Sequence, residues 1–518
     1  MNNESRTKSS IKNISFSIIT QISTVLLNYI CRYIFIKTLS EEYLGVNGLF
    51  SNILTIFSLA ELGIGSAIIY AMYKPIAEKD ESKIKAYMSF YKKCYNIIAL
   101  IILCVGLIIM PFLKSFINDS ANVEIPHLYL IYLLYLLDSV FSYLYVYKSS
   151  ILNAMQKNYI CNRYQIICKI IMTLLMCFSL ILFRNFIIYL VIQIAFKLIT
   201  NILISNKADK MYPFIKDTKG SKLETSERKN VFKNVYALFC NQIGSVLING
   251  TDNIIISKYI SLITVGLYSN YYLIISSVSN FVGQIFNAIV ASVGNLSVST
   301  SKKNTMNMFH KINFVNFVIS FFCLIMLVCC LNDFIGLSFG TKYILDDITV
   351  LVLLINFYLL SMRNVVGTFK YAMGIFWNDK YSMLIRAIFN VVLSIVFVKY
   401  IGLAGVFLGT LVSDLITTFW YQPYALFKYG FGAKVSIYFK DFLKYSLVSL
   451  VGVILCVLVI KWINLPLSLF GLIFDIVLGF AIFIVITVIL FRKNENYKFY
   501  KNMAFECIGK LKLKLKKS

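Results

Sequence analysis

The chain has 518 residues, of which 59% are hydrophobic and only 14% charged. Soluble domains average about a quarter charged residues, so a chain this apolar cannot cover itself with polar surface in water. Its formal charge of +26 would ordinarily raise nucleic acid as a partner, but the lysines sit in short loops between apolar runs and in one tail, which excludes nucleic acid. The twelve cysteines form no CxxC pair and lie mostly within apolar segments, as Cys104, Cys177, Cys329 and Cys330 do. Neither a disulfide framework nor a metal site is expected.

About 20 apolar residues in a helix cross a roughly 30 Å hydrocarbon core. Runs of that kind are predicted at 14–36, 45–70, 94–116, 127–148, 160–183, 185–205, 233–257, 263–295, 312–333, 347–369, 381–400, 402–425, 441–461 and 466–491. The expected fold class is all-α integral membrane, with about fourteen transmembrane helices. The polar N-terminus MNNESRTKSS is not followed by a small-residue cleavage site, so no removable signal peptide is expected. The longest polar stretch, Lys207–Asn230, reads as the only linker.

Cytoplasmic loops retain Lys and Arg. Taken alternately, the loops on one side carry single basic residues: Lys37, Lys114, Arg184, Lys258, Lys342, Lys399 and Lys461. The opposite side is far richer. The loop after span 2 holds Lys74, Lys79, Lys83, Lys85, Lys92 and Lys93, the linker holds eight basic residues between Lys207 and Lys233, and the tail from Arg492 to Lys517 adds nine. Both termini are therefore expected in the cytoplasm. The tail KNMAFECIGKLKLKLKKS reads either as an interfacial helix drawn to anionic lipid or as a solvated charge run.

Placing span 7 under span 1 gives an ungapped match of 21–45 with 242–266. Gln21, Ile22, Val25, Leu26, Asn28, Ile34, Lys37, Ser40 and Gly45 find identical partners. The same register brings spans 2 through 6 near spans 8 through 12. Both copies start on the cytoplasmic side, so the repeat is parallel, the arrangement transporters use for two bundles about an axis along the membrane normal. The expected organisation is a six-helix bundle over 1–206, a basic linker over 207–230, a second bundle over 231–428, two added helices over 429–491 and a basic tail over 492–518.

Polar residues recur at helical spacing inside the spans: Gln21, Asn28 and Arg32 in span 1, Gln242 and Asn249 in span 7, Asn280 and Gln284 in span 8. Residues three, four and seven apart share a helix face, and a polar face avoids lipid. Interhelical hydrogen bonding alone would account for any one stripe; stripes in both repeats point to a shared wet cavity. Away from the span ends, five basic residues lie within spans: Arg32, Lys169, Lys197, Arg363 and Arg386. Each costs at least about 2.5–3.5 kcal/mol at a helix centre, so each is a candidate functional cation; Arg363 and Arg386 lie close enough to the cytoplasmic end to snorkel. The intramembrane acids are Glu61, Asp138, Asp252, Asp414 and Asp475. Asp138, near mid-span, is placed to pair with Lys197 or to bind a coupling H+ or Na+, whereas Asp475 falls outside the repeat. An excess of cations suits an anionic cargo, because Arg grips phosphate bidentately and Lys as a point charge.

Several segments carry a resemblance: Arg32 with IFIKTLSEEYLGVNGLF (34–50), LAELGIG (59–65), TDNIIIS (251–257), VGLYSNYY (265–272), ASVGNL (291–296) and GLAGVFLGT (402–410). In their order and spacing they resemble the polysaccharide repeat-unit flippases of the multidrug/oligosaccharidyl-lipid/polysaccharide exporter superfamily, over roughly 14–425. The resemblance implies two six-helix bundles around a cavity that opens alternately to the two faces. It also implies an undecaprenyl-pyrophosphate-linked oligosaccharide as cargo, moved outward across a bacterial plasma membrane for capsule- or O-antigen-type assembly, with Arg32 as a cavity cation. Lys169, Lys197, Arg363 and Arg386 rest on the residues alone. Membrane lipids and polysaccharide polymerase machinery are the expected partners; no cofactor is expected beyond an H+ or Na+ gradient or the membrane potential. The alternatives are a teichoic-acid unit flippase, a drug or organic-cation exporter of the same superfamily, which would want acids in the cavity, and a membrane glycan polymerase, which would want a large external loop.

Overall fold

The computed structural model describes residues 6–57, 64–116, 126–155, 157–216, 223–375, 378–379 and 381–498. Glu61 and the basic tail from 499 onward lie outside these residues, as do the side chains of Gln242 and Asn249. Backbone groups in hydrocarbon have no water to bond, so a spanning segment must satisfy them internally. Every regular element among the described residues is helical. In chain order these are α1 (Arg6–Thr38), α2 (Glu41–Phe57), α3 (Ile64–Glu78), α4 (Glu81–Ile109), α5 (Leu128–Tyr143), α6 (Ser149–Ala154), α7 (Asn158–Phe183), α8 (Phe186–Met211) and α9 (Thr225–Tyr259). There follow α10 (Leu262–Ser299), α11 (Lys302–Phe339), α12 (Asp347–Met362), α13 (Asn364–Ala372), α14 (Ser382–Ile401), α15 (Leu403–Ile416), α16 (Thr418–Ala425), α17 (Ser436–Ile463) and α18 (Leu469–Phe491).

Twelve stretches are long and apolar enough to cross a membrane. The two other expected spans are helical over their described residues. Residues 58–63 of span 2 lie outside those residues, and α9 carries the polar residues Asp252 and Asn253 within its apolar run. Broad apolar faces lie open on α7, α17 and α18, with Leu174, Phe178, Leu458 and Val477 each about 60% exposed, as lipid contact requires. The protein is a multi-pass membrane protein.

Among the described residues, three expected spans are not continuous. Span 4 breaks after Tyr143 and resumes through a short 3-10 turn into α6; span 10 breaks at Arg363 between α12 and α13; span 12 breaks at Thr417 between α15 and α16. The first two breaks fall at nearly matching points of the repeat. A break frees carbonyls that lipid cannot satisfy, and in both cases an asparagine meets them. Asn201 Nδ2 donates to Ser142 O and Leu144 O, both at 3.3 Å. Asn316 Nδ2 donates to Ser361 O and Met362 O, both at 3.0 Å. Asn316 is fully buried, so Asn316→Ala takes a buried donor away from both carbonyls. The expected cost is roughly 2 kcal/mol, read as a lowered thermal midpoint in detergent, with a smaller loss for Asn201→Ala at its half-buried site.

The chain forms two compact units: Met1–Ser269 with Met383–Ser413, and Asn270–Ser382 with Asp414–Ser518. Within the first, Phe35, Phe50, Tyr132, Tyr135, Phe186 and Tyr189 pack edge to face or tilted across α1, α2, α5 and α8. Within the second, Phe309 on α11 contacts Phe369 on α13, Phe427 and Phe431 on a π-helical turn, and Tyr438 on α17. These aromatic centres fix the helices that carry the charged residues.

Candidate functional site

The first unit holds four of the five intramembrane cations, Arg32, Lys169, Lys197 and Arg386, and the first three form a cluster. Lys197 on α8 donates to Asp138 Oδ2 on α5 at 2.9 Å. Lys169 on α7 lies within range of the Lys197 charge and of Cys31. Cys31 precedes Arg32 on α1, and Arg32 lies close to Tyr135 and Tyr189. Tyr135, also in range of Asp138, donates to Asn47 Oδ1 at 2.6 Å, and Cys31 Sγ donates to Tyr189 OH at 3.7 Å. The cluster thus draws on four expected spans, α1, α5, α7 and α8, and sets three cations against a single described carboxylate.

Exposure separates this cluster from the other charges. The Lys197 side chain is 39% exposed and that of Asp138 12%, and Lys169 is half-buried with no hydrogen bond or ion pair among the described residues. A cation at this depth that is neither neutralised nor enclosed needs water or an anion beside it. The cluster is therefore able to receive a phosphate: Arg32 offers a planar fork and the two lysines movable point charges. Arg32 Nη2 is held by Ser269 O at 3.4 Å, while its Nη1 is buried without a partner among the described residues.

In the second unit Arg363 behaves differently. Its Nη1 donates to Asp414 Oδ1 at 2.7 Å and to Thr418 Oγ1 at 3.0 Å, and Thr418 donates to Asp414 Oδ1 at 2.5 Å. The two side chains are 5% and 4% exposed, so this pair is sealed and neutral. It lies where spans 10 and 12 are broken. A second buried pair, Lys370 with Asp379, stands in the same unit. The sequence pattern gave no sign of it, because Asp379 falls in the short turn between spans 10 and 11.

Arg386 on α14 is buried and within range of Asp252 on α9, and both residues belong to the first unit. Gln21 and Asn28 on α1 are half-buried, while Asn280 and Gln284 on α10 belong to the second unit and are exposed and half-buried respectively. Asn47 and Tyr135, which line the cluster, were not singled out in the sequence: Asn47 lies near the start of span 2, outside any polar stripe, and tyrosine is common in every span.

Residues 10–291, just over half of the chain, match the family described as polysaccharide biosynthesis protein. Comparison with curated proteins by sequence finds no match. The fold is shared with solved transporters at low identity. Lipid II flippase MurJ in an inward closed conformation aligns with a TM-score of 0.62 and 19% identity, over 93% of this chain and 99% of its own. An inward-facing multidrug resistance MATE family transporter of the MOP superfamily aligns with a TM-score of 0.59 and 11% identity, over 79% and 95%. The Vibrio cholerae MATE transporter VcmN aligns with a TM-score of 0.57 and 12% identity, over 83% and 99%. By name these are flippases and transporters, not enzymes. By this match over more than half of its length the chain belongs to the polysaccharide biosynthesis protein family, and it carries the fold shared by these MOP superfamily transporters.

Proposed function

We propose that the protein is a flippase moving undecaprenyl-pyrophosphate-linked oligosaccharide repeat units from the cytoplasmic to the outer face of a bacterial plasma membrane, for capsule- or O-antigen-type polysaccharide. The observation that carries this reading is the excess of cation over acid around Arg32, Lys169 and Lys197, with Asp138 the one described carboxylate among them. A pyrophosphate headgroup neutralises that excess, and its lipid tail stays in the bilayer. The family and the fold shared with a lipid II flippase support the same class of cargo. The lysine bias supports cytoplasmic termini, and hence a cargo taken up on the side where activated sugars are made. Transport is coupled to the membrane potential or to an H+ or Na+ gradient, and a polymerase on the outer face accepts the delivered units.

A teichoic-acid unit presents the same phosphate chemistry and is the second reading. A cation exporter is disfavoured, because an organic cation would meet net positive charge in this cluster. The test is translocation of a fluorescent undecaprenyl-pyrophosphate-linked sugar in proteoliposomes. Arg32→Ala with Lys197→Ala is expected to slow it at least tenfold at equal protein content. An unchanged rate would remove this cluster as the cargo site, and transport of cationic dyes in place of the glycolipid would favour the exporter.

A further inference from the structure

Two hydrogen bonds of the first unit are related by the internal repeat. Arg32 Nη2 donates to Ser269 O at 3.4 Å, and Asn253 Nδ2 donates to Gly48 O at 3.3 Å. The register that places Gln21 over Gln242 places Arg32 over Asn253 and Gly48 over Ser269. Each repeat therefore reaches from its first span to a backbone carbonyl in the second span of the other repeat, once in each direction.

The backbones come close together between these two bonds. A Cβ added to Gly45 would lie 2.1 Å from Leu262 O, and one added to Gly266 would lie 3.2 Å from both Glu41 O and Gly45 N. Gly45 and Gly266 are repeat partners, and so are Glu41 and Leu262. A Cβ on Gly48 would meet Val265 Cγ1 at 2.9 Å. The crossing is built on side-chain-free positions, and its symmetry matches the parallel repeat read from the sequence.

We infer that Arg32, Asn253 and the Gly45/Gly266 crossing form a two-armed latch that holds the repeats together at one end of the membrane. α1 ends at Thr38 and α2 begins at Glu41. Arg32 thus lies about 9 Å inside that end, and Gly45 and Gly48 within two turns of it, at 1.5 Å rise per residue. The lysine distribution makes this the outer end. The latch must part for a cargo to leave outward. Its arms are alike in geometry and unlike in chemistry: Asn253 is an amide with no share in the cationic cluster, whereas the Arg32 guanidinium serves both. Asn253 is therefore the residue at which closure can be weakened without touching cargo recognition.

The test places a thiol on the latch. Ser269→Cys leaves the accepting carbonyl in place at a position only 6% exposed, and replaces a hydroxyl that donates to Gly266 O within its own helix. Intact cells are treated with a membrane-impermeant maleimide, and labelling at position 269 is read by mass spectrometry of its peptide. Labelling is expected to be slow in Ser269→Cys alone, about fivefold faster with Asn253→Ala added, and faster with Arg32→Ala added. Gly45→Ala is expected to raise it more than Gly266→Ala, as 2.1 Å against 3.2 Å requires. Asn253→Ser replaces Asn253→Ala if that variant does not accumulate. Unchanged labelling in the Asn253 and Gly45 variants, with the protein in the membrane at normal level, would overturn the latch; so would labelling that occurs only in inside-out vesicles. The readout needs no cargo. A failure of glycolipid transport in the proteoliposome assay thus leaves the latch standing, and the reverse holds equally.

Discussion

Asp414→Ala is expected to remove folded protein from detergent extracts almost completely. Asp414 and Arg363 are both nearly inaccessible, joined at 2.7 Å and buttressed by Thr418. Taking away the carboxylate leaves a guanidinium buried without its counter-charge, a loss of about 3–5 kcal/mol against a total stability of the order of 5–15 kcal/mol. The damage is aggravated by position. Arg363 closes α12 at the break in span 10, and Asp414 and Thr418 flank the break in span 12, so the pair ties together two points where the helical ladder is interrupted. Arg363→Met with Asp414→Leu removes both charges and keeps apolar volume, and buried pairs replaced in this way are often neutral or stabilising. Size-exclusion profiles in detergent should therefore show a collapsed monomer peak for Asp414→Ala and a recovered one for the double variant. A stable Asp414→Ala protein would mean that Arg363 is not committed to this pair and would return it to the set of cargo cations.

How much of this was legible in the sequence differs from residue to residue, for physical reasons. Apolar run length fixed the helices, and the matched polar positions Gln21/Gln242, Asn28/Asn249 and Lys37/Lys258 exposed the repeat, whose partners Gly45 and Gly266 prove to touch. The pairing of Asp138 with Lys197 followed from two opposite charges at mid-span depth. The helix breaks were hidden. Neither the break after Tyr143 nor that at Arg363 carries Pro or Gly, whereas Pro75 and Pro423 sit inside helices. Those breaks are set by tertiary partners, Asn201 and Asn316, that lie far away in the chain. For the same reason depth alone could not rank the five cations. Arg363 and Lys169 look alike as charges within apolar runs. One is sealed against a carboxylate and the other has no described partner, because that difference is made by whichever helices pack beside them.

Lys169→Glu is expected to abolish glycolipid translocation while leaving the protein folded. Arg32, Lys169 and Lys197 stand against Asp138, an excess of two positive charges that reversal at 169 cancels. Charges 4–8 Å apart at an effective dielectric near 20 interact by about 2–4 kcal/mol, so the change is worth well over tenfold in the occupancy of a phosphorylated headgroup. The lost lysine strands no described partner, and the new carboxylate finds Lys197 in range, so accumulation should persist. Lys197→Ala leaves Arg32 and Lys169 beside an unpaired Asp138 and should fall between the wild type and Lys169→Glu. Removing Asp138 as well restores the excess of two, and Lys197→Ala with Asp138→Ala should regain most of the rate that Lys197→Ala loses. Lys169→Arg, which keeps the charge, should transport normally. The series is read in proteoliposomes at two ionic strengths, and partly exposed charges predict that wild-type transport weakens as salt rises. If the four variants rank by residue identity rather than by net charge, the cluster does not act through its field on an anion. Asp138 would then be better explained as a site for the coupling ion.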